Sequence, residues 1–351
     1  MNRKMAIFPI DHHTVTFARY AHLGKYDPIA LVSPALSVLD GSDISKLDGG
    51  RKANITLHFN YQQKIAESDS VYFLDSHQYS ELQLYNELIT YAKELNKEVL
   101  VSDHLLLKLK GDSNSFEKNL HFLPSKLLKI DVPIISVLAM GENCGQAQTE
   151  FSIRKYFDDQ GYKVLQIGTQ EYSHLLGCAK LPSFLVDANI NIQDKIIMFN
   201  RFIYEECKSI EPDLVILGVP DPIMKYNNDI LNGLGILPFV MQNAILSDVG
   251  LINLHYNEYS FEYLSDIMNL CKYRLNIATK YFGISNTTVS KNVDDSSKLE
   301  YLYIDYEFVK SNLKHGIGKD EYTLFSIYDE ESMIQAFQKI EYELLTNVNQ
   351  I

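Results

Sequence analysis

A short glycine-containing turn between residues 140 and 149 carries the residue types that could hold a phosphate group. It follows an apolar run typical of a strand and precedes a stretch with helical spacing. Such a turn exposes unpaired backbone N–H groups at the positive end of the helix dipole, and glycine lets the backbone wrap an anion. The turn therefore predicts an anion site formed by Gly141, Glu142, Asn143, Cys144, Gly145, Gln146 and Thr149.

The turn departs from a complete phosphate loop, GxxxxGK[ST], in which the lysine neutralises phosphate charge and the hydroxyl holds Mg²⁺. When Gly145 is aligned with the second glycine, Met140 stands at the first glycine, Gln146 at the lysine and Ala147 at the hydroxyl. Thr149 is the hydroxyl that remains for a metal ion. The alternative is an ordinary strand-to-helix connection that binds nothing.

Three side chains are candidates for catalysis. Asp221 ends an apolar strand-like run, and ligands of open α/β sheets bind beyond the carboxyl ends of strands, so we expect Asp221 to face the turn. His174 follows the run that ends at Gly168 and could serve as an acid or base. Cys144, at a helix N-terminus, would have a lowered pKa if exposed and could then act as a nucleophile. The structural alternatives are a turn acid, a hydrogen-bonded loop histidine and a buried thiol.

No metal centre is expected from the sequence. The four cysteines are far apart and form no CxxC pair, and adjacent His12 and His13 lack a second set of ligands at metal-binding spacing. Asp11, His12 and His13 follow the first predicted strand, so a sugar, peptide or cofactor contact is the better interpretation there. Whether a ligand at the turn needs Mg²⁺ stays open.

The composition predicts a protein with more than one domain and no affinity for nucleic acid. The chain has 351 residues, which is long enough for two or three domains. Its net charge of −13, without a compensating basic block, would repel DNA and acidic membranes. The longest uncharged stretch, 230–247, is broken by glycine, proline and amide residues and makes a poor membrane span. We expect a cytoplasmic homo-oligomer.

Apolar runs alternate with helical stretches, which predicts an α/β fold with parallel, helix-covered sheets. We expect a Rossmann-like domain at 1–125 and a P-loop-like α/β domain with a degenerate phosphate loop at 126–260. A helical and α+β extension follows at 261–351, either as a third domain or as an extension of the second sheet.

The segments 141–168 and 211–245, together with IFPID and LVSPALSVLDG near the amino terminus, resemble a known family. This is the peptide maturation system protein family, which is encoded beside radical SAM maturases and small cysteine-rich precursor peptides in bacterial natural-product clusters. The resemblance spans about residues 5–306. It implies a role in maturation of a ribosomally made peptide (RiPP), with the precursor peptide or a radical SAM maturase as partner.

The chain also resembles, more distantly, a two-domain family with a Rossmann-like and a P-loop domain that includes N-acyltransferases acting on D-amino acids. In that family the turn runs G-x-x-C, two residues, then G-K. Counted from Cys144, Ala147 and Gln148 stand at the G-K pair, so the cation is again missing. The resemblance implies the fold, whereas ATP hydrolysis is in doubt.

Two classes of function follow. The first is an accessory P-loop-like protein that binds a nucleotide (ATP or ADP) or coenzyme A through its pyrophosphate, with a nucleotide- or acyl-CoA-dependent transferase as the enzymatic form. The second is a non-catalytic protein that binds the precursor peptide or docks the maturase.

Overall fold

The computed structural model describes residues 2–76, 81–110, 126–291, 299–313 and 321–348. The chain divides into two units. Unit 1 comprises residues 1–119 and 170–177, and unit 2 comprises residues 120–169 and 178–351.

Unit 1 is built on a five-stranded parallel sheet with the strand order β3-β2-β1-β4-β5. This order matches the first five strands of the six-stranded Rossmann order 3-2-1-4-5-6. Its elements are β1 Arg3–Ile10, α1 Val15–Tyr20, β2 Tyr26–Val32, α2 Ser45–Asp48, β3 Leu57–His58, α3 Tyr61–Glu67, β4 Ser70–Phe73, α4 Leu82–Glu94, β5 Glu98–Val101 and α5 Asp103–Lys110. Three short 3₁₀ helices also belong to this unit: Ala21–Gly24, Pro34–Leu39 and Glu171–Leu176.

Unit 2 is built on a seven-stranded parallel sheet with the order β14-β11-β10-β6-β9-β7-β8. Strands β12 and β13 form a separate antiparallel pair. The elements are β6 Ile134–Ala139, α6 Gln146–Asp159, β7 Val164–Gly168, β8 Ala179–Lys180, α7 Ile192–Ile210, β9 Leu214–Pro222, α8 Ile236–Ala244, β10 Val249–Leu254, α9 Phe261–Arg274, β11 Thr279–Ile284, β12 Thr287–Lys291, β13 Leu299–Tyr303, α10 Tyr306–Asn312, β14 Thr323–Ser326 and α11 Glu330–Val348.

Strand β6 lies near the middle of the larger sheet, and side chains on both of its faces are buried. Ile134 and Leu138 pack on one face with residues of α7 and α8, whereas Ile135 and Val137 pack on the other with Phe157 of α6 and with α11. Strands covered by helices on both faces read as continuous apolar runs, which is why the sequence shows no alternation here. All seven strands run parallel, so their carboxyl ends meet at one edge, where the loop after β6 lies.

The α/β fold class predicted from the sequence is confirmed. The extension at 261–351 contributes β11 and β14 to the same sheet as β6, which corresponds to an extended second sheet. The boundary expected at residue 125 lies outside the described residues. Segment 170–177, which the sequence assigned to the second domain, belongs to unit 1.

None of the helices in the described ranges combines the length and the apolar character needed to cross a membrane.

Candidate functional site

The loop between β6 and α6 has the expected strand–turn–helix form. Strand β6 ends at Ala139, and α6 begins at Gln146. Gly145 precedes the helix with a φ of 74°, in the left-handed region that glycine adopts without strain. No side chain caps the N-terminus of the helix.

The carbonyl oxygens of this loop are held by the protein. Five consecutive carbonyls, from residue 141 to residue 145, each accept a hydrogen bond from a named group. The pairs are Gly141 with Cys144 Sγ (2.9 Å), Glu142 with His255 Nε2 (2.7 Å), Asn143 with Thr287 Oγ1 (2.7 Å), Cys144 with Asn253 Nδ2 (3.2 Å) and Gly145 with the Thr149 N–H (3.1 Å).

The N–H groups of the same loop are left open. Those of Glu142, Asn143, Gly145, Gln146 and Ala147 donate to no group in the described part of the chain. The last three residues are also partly exposed. Because the N–H groups of a first helical turn need water, a side chain or a ligand as acceptor, this arrangement can donate hydrogen bonds to an anion.

A side chain at either glycine of the loop would meet a close neighbour, which would have to move. A Cβ at Gly145 would lie 2.0 Å from Ile327 Cδ1, and one at Gly141 would lie 2.5 Å from His255 Cε1. The ring of His255 therefore packs directly on the loop, and burial lowers its pKa. His255 is neutral at pH 7, and its Nε2 carries the hydrogen that it donates to the Glu142 carbonyl.

Gln146, at the position of the absent lysine, turns into the sheet. Its Nε2 donates to the carbonyl of Val137 on β6 at 2.9 Å and to that of Val219 on β9 at 2.7 Å. The pairing of β6 with β9 shifts between Val137 and Ala139, where β9 holds additional residues. The amide therefore bridges two strands at the irregularity, and it is not directed at a ligand as a lysine would be.

Two carboxylates lie at the open side of the loop. Asp221 lies within the irregular part of β9 with a φ of 63°, and partial burial and then the Glu142 carboxylate raise its pKa. Burial, and after it Glu142, also raises the pKa of Tyr301, whose ring centroid lies 5.9 Å from that of His255. Neither carboxylate forms an ion pair in the described ranges. Asp221 thus lies within electrostatic reach of the loop.

Cys144 is a buried thiol. It is 1% exposed, its Sγ donates to the Gly141 carbonyl, and burial raises its pKa to about 12. The nucleophile hypothesis required an exposed thiol with a lowered pKa, and burial reverses that shift because it penalises the charged form. Cys144 instead fixes the shape of the loop.

Thr149 is fully buried, and its hydroxyl is engaged. Its Oγ1 donates weakly to the Gly145 carbonyl at 3.4 Å and accepts from Asn253 Nδ2 at 2.8 Å. Both hydrogen bonds of the hydroxyl stabilise the loop. The geometry does not favour the expected role of holding a metal ion.

His174 belongs to the 3₁₀ helix Glu171–Leu176 of unit 1, and α6 belongs to unit 2. Its ring is exposed, and its Nδ1 lies 2.8 Å from the Glu171 carbonyl. His174 therefore has the hydrogen bond expected of a structural loop histidine, which is the alternative to an acid or base.

No group of three or more His, Cys, Asp or Glu side chains is placed to hold a metal ion within the described ranges. Asp11 is buried, and its carboxylate accepts from the Ser76 hydroxyl and from the N–H groups of His13 and Thr14. Its hydrogen bonds are those of a structural residue that orders the end of β1.

Sequence reasoning missed three residues that shape the loop. Asn253 and His255 lie at the carboxyl end of β10, and the rule that placed Asp221 at this sheet edge could have placed them as well. Thr287 begins β12, and no sequence signal pointed to it.

The fold has counterparts among solved structures. A DUF1611 family protein from Anabaena variabilis superimposes with a TM-score of 0.51 and 8% identity, covering 81% of this chain and 87% of that one. At this identity the likeness shows a shared fold and no more.

Weaker likenesses have TM-scores below 0.5 and carry no functional argument. A pseudomurein peptide ligase type C from Methanothermus fervidus gives a TM-score of 0.29 at 14% identity, with coverages of 82% and 50%. A plasmid partition protein from Borrelia burgdorferi bound to AMPPNP gives 0.31 at 15% identity, with coverages of 63% and 100%. No family model matches this chain, and neither does any curated protein.

Proposed function

We propose that unit 2 binds a phosphate-bearing ligand, the pyrophosphate of a nucleotide or of coenzyme A, at the loop between β6 and α6. One observation carries the proposal. Side chains and the first turn of α6 hold the loop carbonyls, whereas the N–H groups of Glu142, Asn143, Gly145, Gln146 and Ala147 have no partner in the described ranges. Open N–H groups at the positive end of a helix favour an anion.

The same loop gives no support for nucleotide hydrolysis. Gln146 carries no charge and is directed into the sheet, and the Thr149 hydroxyl is used internally. The loss of a single donor to a transition-state oxyanion costs about 3 kcal/mol, so a loop without the lysine is a poor catalyst of phosphoryl transfer. Binding through backbone N–H groups does not require that cation. We therefore propose a binding function for this loop.

The biological role proposed for this binding is that of an accessory protein in maturation of a ribosomally made peptide. The sequence resemblance to peptide maturation system proteins supports it. The second candidate is a non-catalytic scaffold for the precursor peptide or a radical SAM maturase, and the exposed carboxylates of Glu142 and Asp221 beside the loop favour it because they oppose an anion.

Substitution of Ala147 tests phosphate binding without removing a structural contact. Ala147 lies in the first turn of α6, is partly exposed, and is not acidic. Aspartate there complements the helix dipole by about 0.3–1 kcal/mol, so Ala147→Asp should keep the melting temperature, whereas its charge should repel a phosphate. Ala147→Ser is the matched neutral control.

The measurement is the melting temperature with and without ADP, coenzyme A or pyrophosphate. At tenfold excess over the dissociation constant, a ligand stabilises the wild type by about 1.4 kcal/mol. We expect this gain in the wild type and in Ala147→Ser, and its loss in Ala147→Asp. If none of the three ligands stabilises the wild type, the phosphate proposal fails. Retention of the precursor peptide on immobilised protein without nucleotide would then support the scaffold.

A further inference from the structure

The chain makes a short excursion out of unit 2. It leaves after Thr169, contributes residues 170–177 to unit 1, and returns at Cys178. The strands on either side of the excursion pair in parallel, with Ile167 opposite Ala179 and Gly168 opposite Lys180. The two ends of the excursion are therefore neighbours at the edge of the larger sheet.

Glu150 of α6 holds the outgoing end. Its carboxylate accepts the Thr169 N–H at 3.2 Å and the Thr169 hydroxyl at 2.8 Å. Glu150 is fully buried, and a Cβ on Gly218 of β9 would lie 2.5 Å from its carboxyl carbon. The absence of a side chain at Gly218 thus makes the space that the carboxylate occupies.

Arg154, one helical turn further along α6, contacts the returning end. Its guanidinium lies 3.5 Å from the Sγ of Cys178, and its Nε lies 3.3 Å from Asp158. Residues four apart lie on the same face of a helix. One face of α6 therefore contacts both points at which the chain passes between the units.

We propose that α6 is a clamp on the two ends of the excursion, Thr169 and Cys178, and that this clamp links occupancy of the β6–α6 loop to the order of residues 170–177. The inference rests on the proposed phosphate binding for its ligand-dependent part. The link is short, because the open N–H groups end at Ala147 and Glu150 lies in the next turn of the same helix. A ligand that orders the first turn of α6 also orders the carboxylate that holds Thr169. Glu150 and Thr169 are positioning residues and touch no ligand.

Hydrogen–deuterium exchange of the 170–177 amides measures the clamp. In the full-length wild type, saturation with ADP or pyrophosphate should slow exchange in this segment by about fivefold or more, the lower end of common coupling strengths. Thr169→Val removes the hydroxyl that donates a hydrogen bond to Glu150, so it should abolish this slowing. The affinity of the variant for the same probe, measured by calorimetry, should equal that of the wild type. Thr169→Ser keeps the hydroxyl and should restore it.

Exchange in the ligand-free variants and the ligand-free wild type tests the clamp even if no probe binds. Thr169→Val should speed exchange of 170–177 by about fivefold relative to wild type, whereas Thr346→Val on α11 should leave that segment unchanged. Melting temperatures identify any variant that fails to fold, and Thr169→Ser then serves as the folded comparison.

Each outcome decides a separate claim. Binding with unchanged exchange at 170–177 in the wild type overturns the link to the loop and leaves the proposed function standing. An absence of binding overturns the proposed function, and the ligand-free comparison then decides the clamp. Unchanged exchange in ligand-free Thr169→Val overturns the clamp itself.

Discussion

The Nε2 atom of Gln146 lies 2.7 Å from the carbonyl oxygen of Val219. The same atom lies 2.9 Å from the Val137 carbonyl, so the amide joins β6 and β9 where their pairing becomes irregular. The position that carries a cation in a complete phosphate loop is used here to satisfy two backbone carbonyls. Gln146 therefore has a structural role at the position where a complete phosphate loop has its lysine.

Substitution of Gln146 should cost stability. Gln146→Leu leaves the carbonyls of Val137 and Val219 without their donor, and an unsatisfied buried polar group costs about 1–3 kcal/mol. Gln146→Glu should be more damaging, because a carboxylate cannot donate to a carbonyl. The free energy of unfolding in urea measures both effects. Gln193→Leu on the exposed face of α7 is the matched control. Equal stability of Gln146→Leu and the control would contradict the bridging role.

Removal of the Glu142 charge should tighten phosphate binding. Glu142 lies in the loop and raises the pKa of Asp221, so its charge reaches the open side of the site. One unit charge near 4 Å in water is worth about 1 kcal/mol, which predicts about fivefold tighter binding of ADP to Glu142→Gln and a larger gain for Glu142→Lys. Isothermal calorimetry at low salt measures the change.

The matched control for the charge effect is Glu205→Gln on the exposed surface of α7. It alters the net charge by the same amount away from the loop. The gain in Glu142→Gln should shrink at high salt because exposed charges are screened. Equal gains in the two variants would mean that net charge, and not the loop, governs affinity.

Glu150 should make stability depend on pH. Burial raises its pKa to about 7, against the smaller lowering by the hydroxyl and N–H of Thr169. Because the pKa in the folded state exceeds the ordinary value of 4.5, this contribution to stability is complete below pH 4.5 and is lost as pH rises through 7. The shift corresponds to at most about 3 kcal/mol.

Glu150→Gln should therefore gain stability relative to wild type as pH rises from 5 to 8. The groups that face Glu150 include Gln166 on β7, Thr169 directly after β7 and Cys178 before β8, and Arg154 lies one turn along its own helix. Urea unfolding at pH 5 and pH 8 gives the comparison. A difference between variant and wild type that does not change with pH would mean that Glu150 does not titrate in this range.

Cys144 should resist thiol reagents in the folded protein. Its pKa of about 12 leaves almost no thiolate at pH 8, and its side chain is buried. The other three cysteines are buried as well. We expect negligible reaction with a thiol-specific reagent at pH 8, and complete reaction of all four thiols in denaturant. Rapid labelling of Cys144 in the native protein would revive the nucleophile hypothesis.

The sequence was sufficient for the α/β class and for the strand–turn–helix form of the loop. Periodicity identifies β6 and β9 because both are buried on two faces and read as apolar runs. The glycines predicted the turn because few other residues accept the left-handed conformation found at Gly145.

The interior of the site could not be predicted because it depends on long-range contacts. The thiol of Cys144 is buried, and the carbonyls of its loop are held by Asn253, His255 and Thr287, which are more than 100 residues away in the chain. The direction of the Gln146 side chain depends on an irregular pairing of two strands, which no local pattern reveals.

The excursion of residues 170–177 also affects the order in which the two units can fold during synthesis. Unit 1 needs a segment that follows β6, α6 and β7 of unit 2, so its contacts cannot be complete when its first 119 residues leave the ribosome. An amino-terminal fragment that ends near residue 120 would lack residues 170–177 of unit 1. Separate expression of unit 1 therefore requires residues 170–177 to be grafted onto its end.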